Sequence, residues 1–217
     1  MLRFTDPPRM PGTGESLEER LARAADLAGT PGQLYVERRA VPVRVAGAAG
    51  VRFDADFGGR PAVLAPLTDQ AGTPVSLHGR YLHNVRGQNK MLTIGPDGGA
   101  LSVLDGWRAD PLILVEGLFD ALSLAVCGRA CVATVGRRAP WLPEVASGRK
   151  VWLAFDNGRP GEADAARYAK LLRRSDVCRL LPPPRCKDWN TALIKRGRGA
   201  VTRWLHESLG ASGTTAS

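Results

Sequence analysis

The sequence of 217 residues has no long hydrophobic run and contains few cysteines and histidines. No apolar segment approaches the ~20 residues that a membrane-spanning helix needs. The N-terminus lacks the apolar core that is typical of a signal peptide. The sequence therefore predicts neither a membrane protein nor a secreted one, and we expect a cytoplasmic protein.

The four cysteines and three histidines do not have the spacing of a metal site. A zinc ribbon brings two close cysteine pairs together, whereas Cys127 and Cys131 flank a predicted helix end and a predicted strand start. We expect all four cysteines, Cys178 and Cys186 included, to be reduced thiols that lie mostly in the core. The histidines are too scattered to predict a metal centre or a catalytic triad; they are His78, His83 and His206.

Positive charge is abundant, with a formal net charge of +9. Such a surplus favours polyanionic partners, nucleic acid first. A generally basic proteome or a solubility bias is the alternative explanation. The length accommodates one domain or two small ones, with enough residues for a buried core.

Two apolar runs in the second half of the chain each stop at an acidic residue. Glu116 follows Leu112–Val115, and Asp156 follows Val151–Phe155. Short apolar runs that alternate with helical patterns predict an α/β fold with a parallel sheet buried on both faces, and ligands bind at the carboxyl edge of such sheets. Asp120 lies one helical turn after Glu116. Carboxylates gathered at that edge suit a hard divalent cation.

The segments VEGLFDAL and AFDNG resemble the Toprim family, the acid-rich α/β domain of DnaG-type primases, topoisomerases and some nucleases. The resemblance implies catalytic and metal-binding roles for Glu116, Asp120 and Asp156, with Mg²⁺ or Mn²⁺ as the cofactor. The family's second motif is Asp-x-Asp, and its second acid would fall at 158, where this chain has Gly158. That departure removes one carboxylate and disfavours a second ion, although Glu162 on the next helix is a possible substitute.

Basic residues are expected to face the same edge. The pair Gly79-Arg80 and the later Lys90 match a basic stretch of the DnaG-type core, which implies that Arg80 and Lys90 contact phosphates of template or nucleotide. Solvated charges at a strand edge are the alternative. Arg137, Arg138 and Arg159 flank the predicted edge, where they either bind nucleotide phosphates or offset the acids.

Two further segments are similar to primase sequences. KDWNTAL resembles a segment of phage and plasmid Toprim primases, which implies that Lys187 or Asp188 lies near the cleft. A helix start with Asp188 or Asn190 as the N-cap is the alternative. The run QLYVERRAVPV resembles the opening of the primase core, where a Tyr-Leu-x-x-Arg pattern is common.

The predicted organisation has a disordered N-terminus (1–14), a smaller basic α+β subdomain (15–104), a Toprim domain (105–209) and a flexible tail (210–217). The Toprim domain is expected to be a parallel sheet with helices on both faces. Within the first subdomain, strands Ala62–Pro66 and Val75–Leu82 should pair around a turn. The chain should also begin with a capped helix that is closed by Gly29. A later helix should bury Ala166, Ala169 and Leu172.

The resemblance implies a DNA primase core that makes short RNA primers on single-stranded DNA from nucleoside triphosphates. DnaG-type primases usually carry a zinc module that this sequence does not supply, so the chain would be the catalytic core alone or a divergent relative. A zinc module or a replicative helicase acting in trans is a possible partner, and the short architecture suits a phage or plasmid origin. Two alternatives stay open. One is a catalytically weak nucleic-acid-binding module that acts with a helicase, and the other is a Toprim nuclease.

Overall fold

The computed structural model describes residues 16–137 and 139–210. The segment predicted to be disordered (1–14) lies outside the described residues, and so does the candidate residue Arg138. Of the tail predicted to be flexible (210–217), only Gly210 is described. Ten strands form two five-stranded sheets, and seven helices pack around them in the described part of the chain. No helix in these two ranges is both long and apolar enough to cross a membrane.

The first sheet belongs to the first half of the chain, and its strands run in the order β1-β2-β3-β4-β5. All of its pairings are antiparallel. Its strands are β1 (Ala25–Asp26), β2 (Arg52–Asp54), β3 (Ala62–Thr68), β4 (Pro74–Tyr81) and β5 (Met91–Ile94). Three short helices accompany it, α1 (Leu17–Arg23), α2 (Pro31–Glu37) and α3 (Val43–Ala48).

The hairpin of β3 and β4 confirms the predicted strand pair, with Ala62 opposite Tyr81 and Leu64 opposite Gly79. The carboxylate of Asp69 closes its turn by accepting the backbone N–H groups of Ala71 (2.9 Å) and Thr73 (3.0 Å). Asp is common in turns because its side chain can accept nearby backbone N–H groups in this way. The hairpin therefore follows from local chemistry.

The second sheet has the order β10-β9-β7-β8-β6. Its strands are β6 (Leu101–Val103), β7 (Leu112–Val115), β8 (Cys131–Ala133), β9 (Lys150–Leu153) and β10 (Asp176–Arg179). All pairings are parallel except that of the edge strand β6 with β8. The helices of this half are α4 (Leu118–Val126), α5 (Leu142–Ala146), α6 (Arg159–Leu171) and α7 (Trp189–Gly210).

Alternate residues of the central strand β7 enter two different hydrophobic clusters. Ile113 and Val115 pack in the cluster that contains residues of α4 and α7. Leu112 and Leu114 pack in the cluster that contains residues of α5 and α6. Because side chains alternate between the faces of a sheet, helices cover both of its faces. The predicted α/β fold with a parallel sheet and helices on both faces is confirmed, with the antiparallel edge strand β6 as a difference from the prediction.

Two helix predictions were wrong in detail. The first helix ends at Arg23 rather than at Gly29, since Ala24 adopts extended angles and the next two residues pair with β2. In α6, Ala166 is exposed and so is Ala169. The residues of α6 that face the sheet are instead Gly161, Ala165 and Tyr168, with Leu172 after them. Alanine occurs on both the buried and the exposed faces of helices, so an alanine pattern in the sequence does not identify the buried face.

The C-terminal region contains two helical stretches. The continuous assignment of α7 contains a break at Gly197, whose φ of 76° and ψ of 165° are not helical. The cysteines are also as expected, because all four are free thiols and only Cys178 is not fully buried.

Candidate active site

The two predicted acids meet at the carboxyl edge of the second sheet. Strands β7 and β9 are parallel neighbours, so the residues that follow them emerge at the same edge. The backbone N–H of Asp156 donates a hydrogen bond to the Glu116 carboxylate at 3.0 Å. Both side chains are half-buried. The structure therefore brings Glu116 and Asp156 together, as the sequence predicted.

A tight turn after β9 fixes the position of Asp156. Gly158 has a φ of 107° and precedes the first turn of α6. Gly161 lies directly against the Asp156 carbonyl, and a Cβ at this position would overlap that oxygen. The guanidinium of Arg179 also donates to the Asp156 carbonyl at 2.8 Å. Glycines at 158 and 161 thus allow α6 to begin immediately beside the acid.

Asp120 makes hydrogen bonds that the sequence did not predict. Its carboxylate accepts the backbone N–H groups of Trp189 (3.0 Å) and Asn190 (3.2 Å), which are the first two residues of α7. Asp188 accepts the N–H of Thr191 at 2.6 Å, which confirms it as an N-cap. Two carboxylates therefore satisfy the open N–H groups at the start of α7.

The pKa values of all three predicted acids are raised. Burial, followed by the neighbouring Asp156 carboxylate, raises the pKa of Glu116. Burial also raises the pKa of Asp156, although the ammonium of Lys187, 3.4 Å away, opposes the shift. For Asp120, burial and the negative charges of Asp188 and Asp156 raise the pKa to about 7. Negative charge at this edge is therefore only partly compensated by protein cations.

Glu116 and Asp156 have the chemistry to hold one divalent cation. Mg²⁺ is commonly bound by one or two carboxylates, with waters and substrate oxygens as the other ligands. Among residues 16–137 and 139–210, however, no group of three or more His, Cys, Asp or Glu side chains is arranged to hold a metal ion. The carboxylate of Asp120, the third predicted ligand, is hydrogen-bonded to the start of α7. The metal ligands stay a prediction.

A cleft of about 560 Å³ opens above these acids and is lined by both halves of the chain. Its lining includes Glu116 and Asp156 from the second half of the chain and His78 and Arg80 of β4 from the first. The Nε atom of Arg80 is buried and has no hydrogen-bond partner. Lys187 lines the cleft as well. An acidic edge and a basic strand thus face a common space.

Comparison with known proteins agrees with this arrangement. A family model described as Toprim-like matches residues 113–193, from β7 to the first turns of α7. Residues 113–193 form a Toprim-like domain. No curated protein matched the sequence in a separate comparison.

Three solved structures show how the Toprim-like domain and the preceding residues are arranged in similar proteins. The zinc-binding and RNA polymerase domains of Aquifex aeolicus primase superpose with a TM-score of 0.66 at 17% identity, covering 88% of this chain and 60% of that one. A DnaG primase catalytic domain bound to single-stranded DNA gives 0.64 at 18% identity, with coverages of 88% and 79%.

The primase fragment of the bacteriophage T7 primase-helicase protein gives a TM-score of 0.58 at 20% identity, covering 80% of this chain and 72% of that one. The chain thus has the fold of a DnaG-type primase catalytic core. It spans about three fifths of the Aquifex aeolicus structure.

The remaining basic candidates lie outside the lining of the cleft above the Toprim-like domain. Lys90 is exposed on the connection between β4 and β5, and Arg159 is exposed at the first residue of α6. Arg137 donates to the Gly95 carbonyl at 2.7 Å and contacts the Asp97 carboxylate at 2.9 Å. Arg137 therefore tethers the loop after β5 in this structure, and the binding roles of these three residues stay predictions.

Glu162, the possible substitute for the missing acid, points away from the cleft. Its carboxylate accepts hydrogen bonds from Arg179, with the shorter N–O distance at 2.8 Å. It is also absent from the lining of the cleft. Its position three residues into α6 turns it towards β10 and away from Glu116.

Sequence reasoning missed two arginines of the cleft. Arg39 lies over the Phe119 ring at 4.2 Å and donates to the Asn190 side chain at 3.2 Å, which joins the first half of the chain to α4 and α7. Its signal in the sequence is the run QLYVERRAVPV, which resembles the opening of the primase core. Arg167 of α6 also lines the cleft, paired with Asp164 at 2.9 Å. No motif marks Arg167.

Proposed function

We propose that the chain is the catalytic core of a primase-type nucleotidyltransferase that makes short RNA primers on single-stranded DNA. The observation that carries the proposal is a single cleft whose lining contains both the hydrogen-bonded Glu116–Asp156 pair and Arg80. Paired carboxylates and an arginine in one cleft suit phosphoryl-transfer chemistry, since that reaction requires groups that offset the charge of the phosphates and hold them in position.

The reaction is attack of a 3′-hydroxyl on the α-phosphate of a nucleoside triphosphate, with pyrophosphate as the leaving group. Arg80 supplies a planar set of donors for phosphate oxygens, and Lys187 supplies a mobile positive charge at the acidic edge. Glu116 and Asp156 are the residues that would hold Mg²⁺ or Mn²⁺, which would offset negative charge on the phosphates.

The similar structures support the substrate and the partners of this proposal. One of them is a DnaG catalytic domain bound to single-stranded DNA, and another is part of a primase-helicase protein. We therefore propose single-stranded DNA as the template and a replicative helicase as the partner. The net charge of +9 favours binding to a polyanion of this kind.

Primer synthesis on single-stranded DNA with labelled ribonucleotides and Mg²⁺ or Mn²⁺ tests the proposal. Glu116→Gln and Asp156→Asn should each lower the rate by about 100-fold or more, because each removes a negative charge at the reacting centre. Glu207→Gln is the matched control, since Glu207 is exposed on α7 and does not line the cleft. An unmodified chain that makes no primer with either ion would refute the proposal.

Gly158 favours a second candidate, a nucleic-acid-binding module with a weak active site. The second acid of the family motif is missing, and no described residue takes its place in a three-ligand cluster. For such a module we expect binding to single-stranded DNA that weakens steeply with salt, without primer synthesis. Fluorescence anisotropy at several salt concentrations, run beside the priming assay, separates the two candidates.

A further inference from the structure

His78 is a buried polar residue in the wall of the cleft whose role the proposed reaction leaves open. It lies on β4, two residues before Arg80, and both line the cleft. Because side chains alternate along a strand, the two project from the same face of the first sheet. Across the sheet, His78 pairs with Thr93 and Arg80 pairs with Met91.

The two ring nitrogens of His78 differ in their surroundings. Nδ1 lies 2.9 Å from the Thr93 hydroxyl. Nε2 makes no hydrogen bond with another described residue, and it is not among the fully enclosed unpartnered atoms. The residue as a whole is only 3% exposed, and it lines the cleft. Nε2 is therefore the ring atom that remains available to a molecule in the cleft.

Arg80 presents a second donor without an acceptor in the same wall. Its Nε atom is buried and has no hydrogen-bond partner among the described residues, and the residue lines the cleft. A buried donor that lacks a partner is costly unless a ligand satisfies it. Two such donors on one face of a strand call for an acceptor-rich ligand, and phosphate oxygens are the acceptors that match a guanidinium.

The charge state of the imidazole fits this role. Burial, and then the positive charges of Arg80 and Arg137, lowers the pKa of His78 to about 4. The ring is therefore neutral at neutral pH. When the Thr93 hydroxyl donates to Nδ1, the proton of a neutral ring resides on Nε2, which makes Nε2 a donor.

We infer that His78 donates a hydrogen bond from Nε2 to a phosphate oxygen of a polyphosphate ligand that Arg80 holds in the cleft. The inference rests on the proposed function only in identifying this polyphosphate as the triphosphate of a nucleotide. His78 is then a phosphate-binding residue that adds a directed hydrogen bond without adding charge. Thr93 is the residue that sets its tautomer.

Two substitutions separate this role from that of a histidine that merely pairs with Thr93. Glutamine places its amide nitrogen close to the position of Nε2, whereas asparagine places its amide close to Nδ1. His78→Asn should weaken binding of inorganic tripolyphosphate roughly 10- to 100-fold, as expected for a lost hydrogen bond to a charged group. His78→Gln should retain most of the affinity. The same two substitutions at the exposed His206 should change nothing.

Calorimetric titration of the full chain with tripolyphosphate, without metal or template, measures these affinities. The ¹⁵N signals of the unmodified protein give a readout that does not depend on folding of a variant. Tripolyphosphate should shift the Nε2 resonance of His78 and leave that of His206 unchanged. If His78→Asn binds as tightly as the unmodified protein, or if the Nε2 signal does not respond, the inference is wrong.

The two proposals fail separately. A chain that binds tripolyphosphate through His78 but makes no primer would refute the proposed function and retain the phosphate site. A chain that makes primers equally well with His78→Asn, at limiting nucleotide, would refute the role of His78 and retain the proposed function.

Discussion

His78 should make the stability of the fold sensitive to acid. Its imidazole is 3% exposed, and its pKa is lowered from 6.5 to about 4 by burial and by the charges of Arg80 and Arg137. Between these two values the unfolded chain binds a proton that the folded chain does not. The stabilising contribution of the neutral ring is therefore complete above pH 6.5 and is lost as the pH falls towards 4.

The size of the effect follows from the difference in pKa. One pKa unit is worth about 1.4 kcal/mol, so a lowering of the His78 pKa from 6.5 to about 4 is worth roughly 3 kcal/mol below pH 4. At pH 4.5 most of this penalty, about 2 kcal/mol, should already be present. A loss of this size is a large part of the stability of an ordinary domain.

Urea denaturation at pH 7.5, 6.0 and 4.5, followed by tryptophan fluorescence, measures the effect. Other groups titrate in the same range, so the informative quantity is the difference in unfolding free energy between the unmodified chain and His78→Gln. Between pH 7.5 and pH 4.5 the unmodified chain should lose about 2 kcal/mol of unfolding free energy relative to His78→Gln. His206→Gln should give a constant difference. A constant difference for His78→Gln would falsify the reasoning.

Three substitutions at the acidic edge test the other structural roles. Asp120→Ala should destabilise the fold by about 1 to 2 kcal/mol because the cap on α7 is lost. Asp120→Asn should be milder, since it retains a carbonyl oxygen for the Trp189 and Asn190 N–H groups. The denaturant midpoints of the two variants check this. Gly161→Ala should destabilise by about 1 to 3 kcal/mol because its Cβ would overlap the Asp156 carbonyl, and Gly199→Ala, with open space around its Cβ, is the control. Gly158→Asp should cost roughly 1 to 3 kcal/mol, because a φ of 107° is unfavourable for any residue with a side chain; thermal denaturation measures the loss, and an unchanged midpoint would contradict the geometry.

The central part of the site was predictable because its signals are local. A short apolar strand that ends in an acid can be read from four or five consecutive residues, and parallel pairing then brings two such ends to one edge. Glu116 and Asp156 meet for this reason. The resemblance to the DnaG-type core added the expectation that Arg80 faces the cleft, and Arg80 is part of the cleft lining.

Other features were not predictable because contacts distant in sequence decide them. Asp120 is one helical turn from Glu116, yet its orientation depends on the start of α7 about 70 residues later. Arg39 reaches the cleft through Phe119 and Asn190, which belong to the other half of the chain. A spacing rule within one helix does not contain these partners.

The directions of basic side chains were also not predictable from the sequence, as three residues show: Lys90, Arg137 and Arg159. Lys90 was expected to contact phosphates from the resemblance to a basic stretch of the DnaG-type core, and Arg137 and Arg159 from their positions beside the predicted edge. In the structure, Arg137 is held by Asp97, and the other two are exposed outside the cleft lining. The direction of a long basic side chain depends on which acceptor lies within reach, and a sequence window does not show that acceptor.

The glycine at position 158 differs from the acid of the family motif in its backbone conformation as well as in its side chain. A weakened site that lacked only a carboxylate would be repaired by Gly158→Asp, and primer synthesis would rise. Here the φ of 107° lies in the region that glycine adopts freely, and the turn that it makes lets α6 start beside Asp156. Introducing the acid would strain the same turn that positions Asp156. We therefore expect Gly158→Asp to leave primer synthesis unchanged or lower it, and a clear gain in activity would show that the turn can rearrange to accept a third carboxylate.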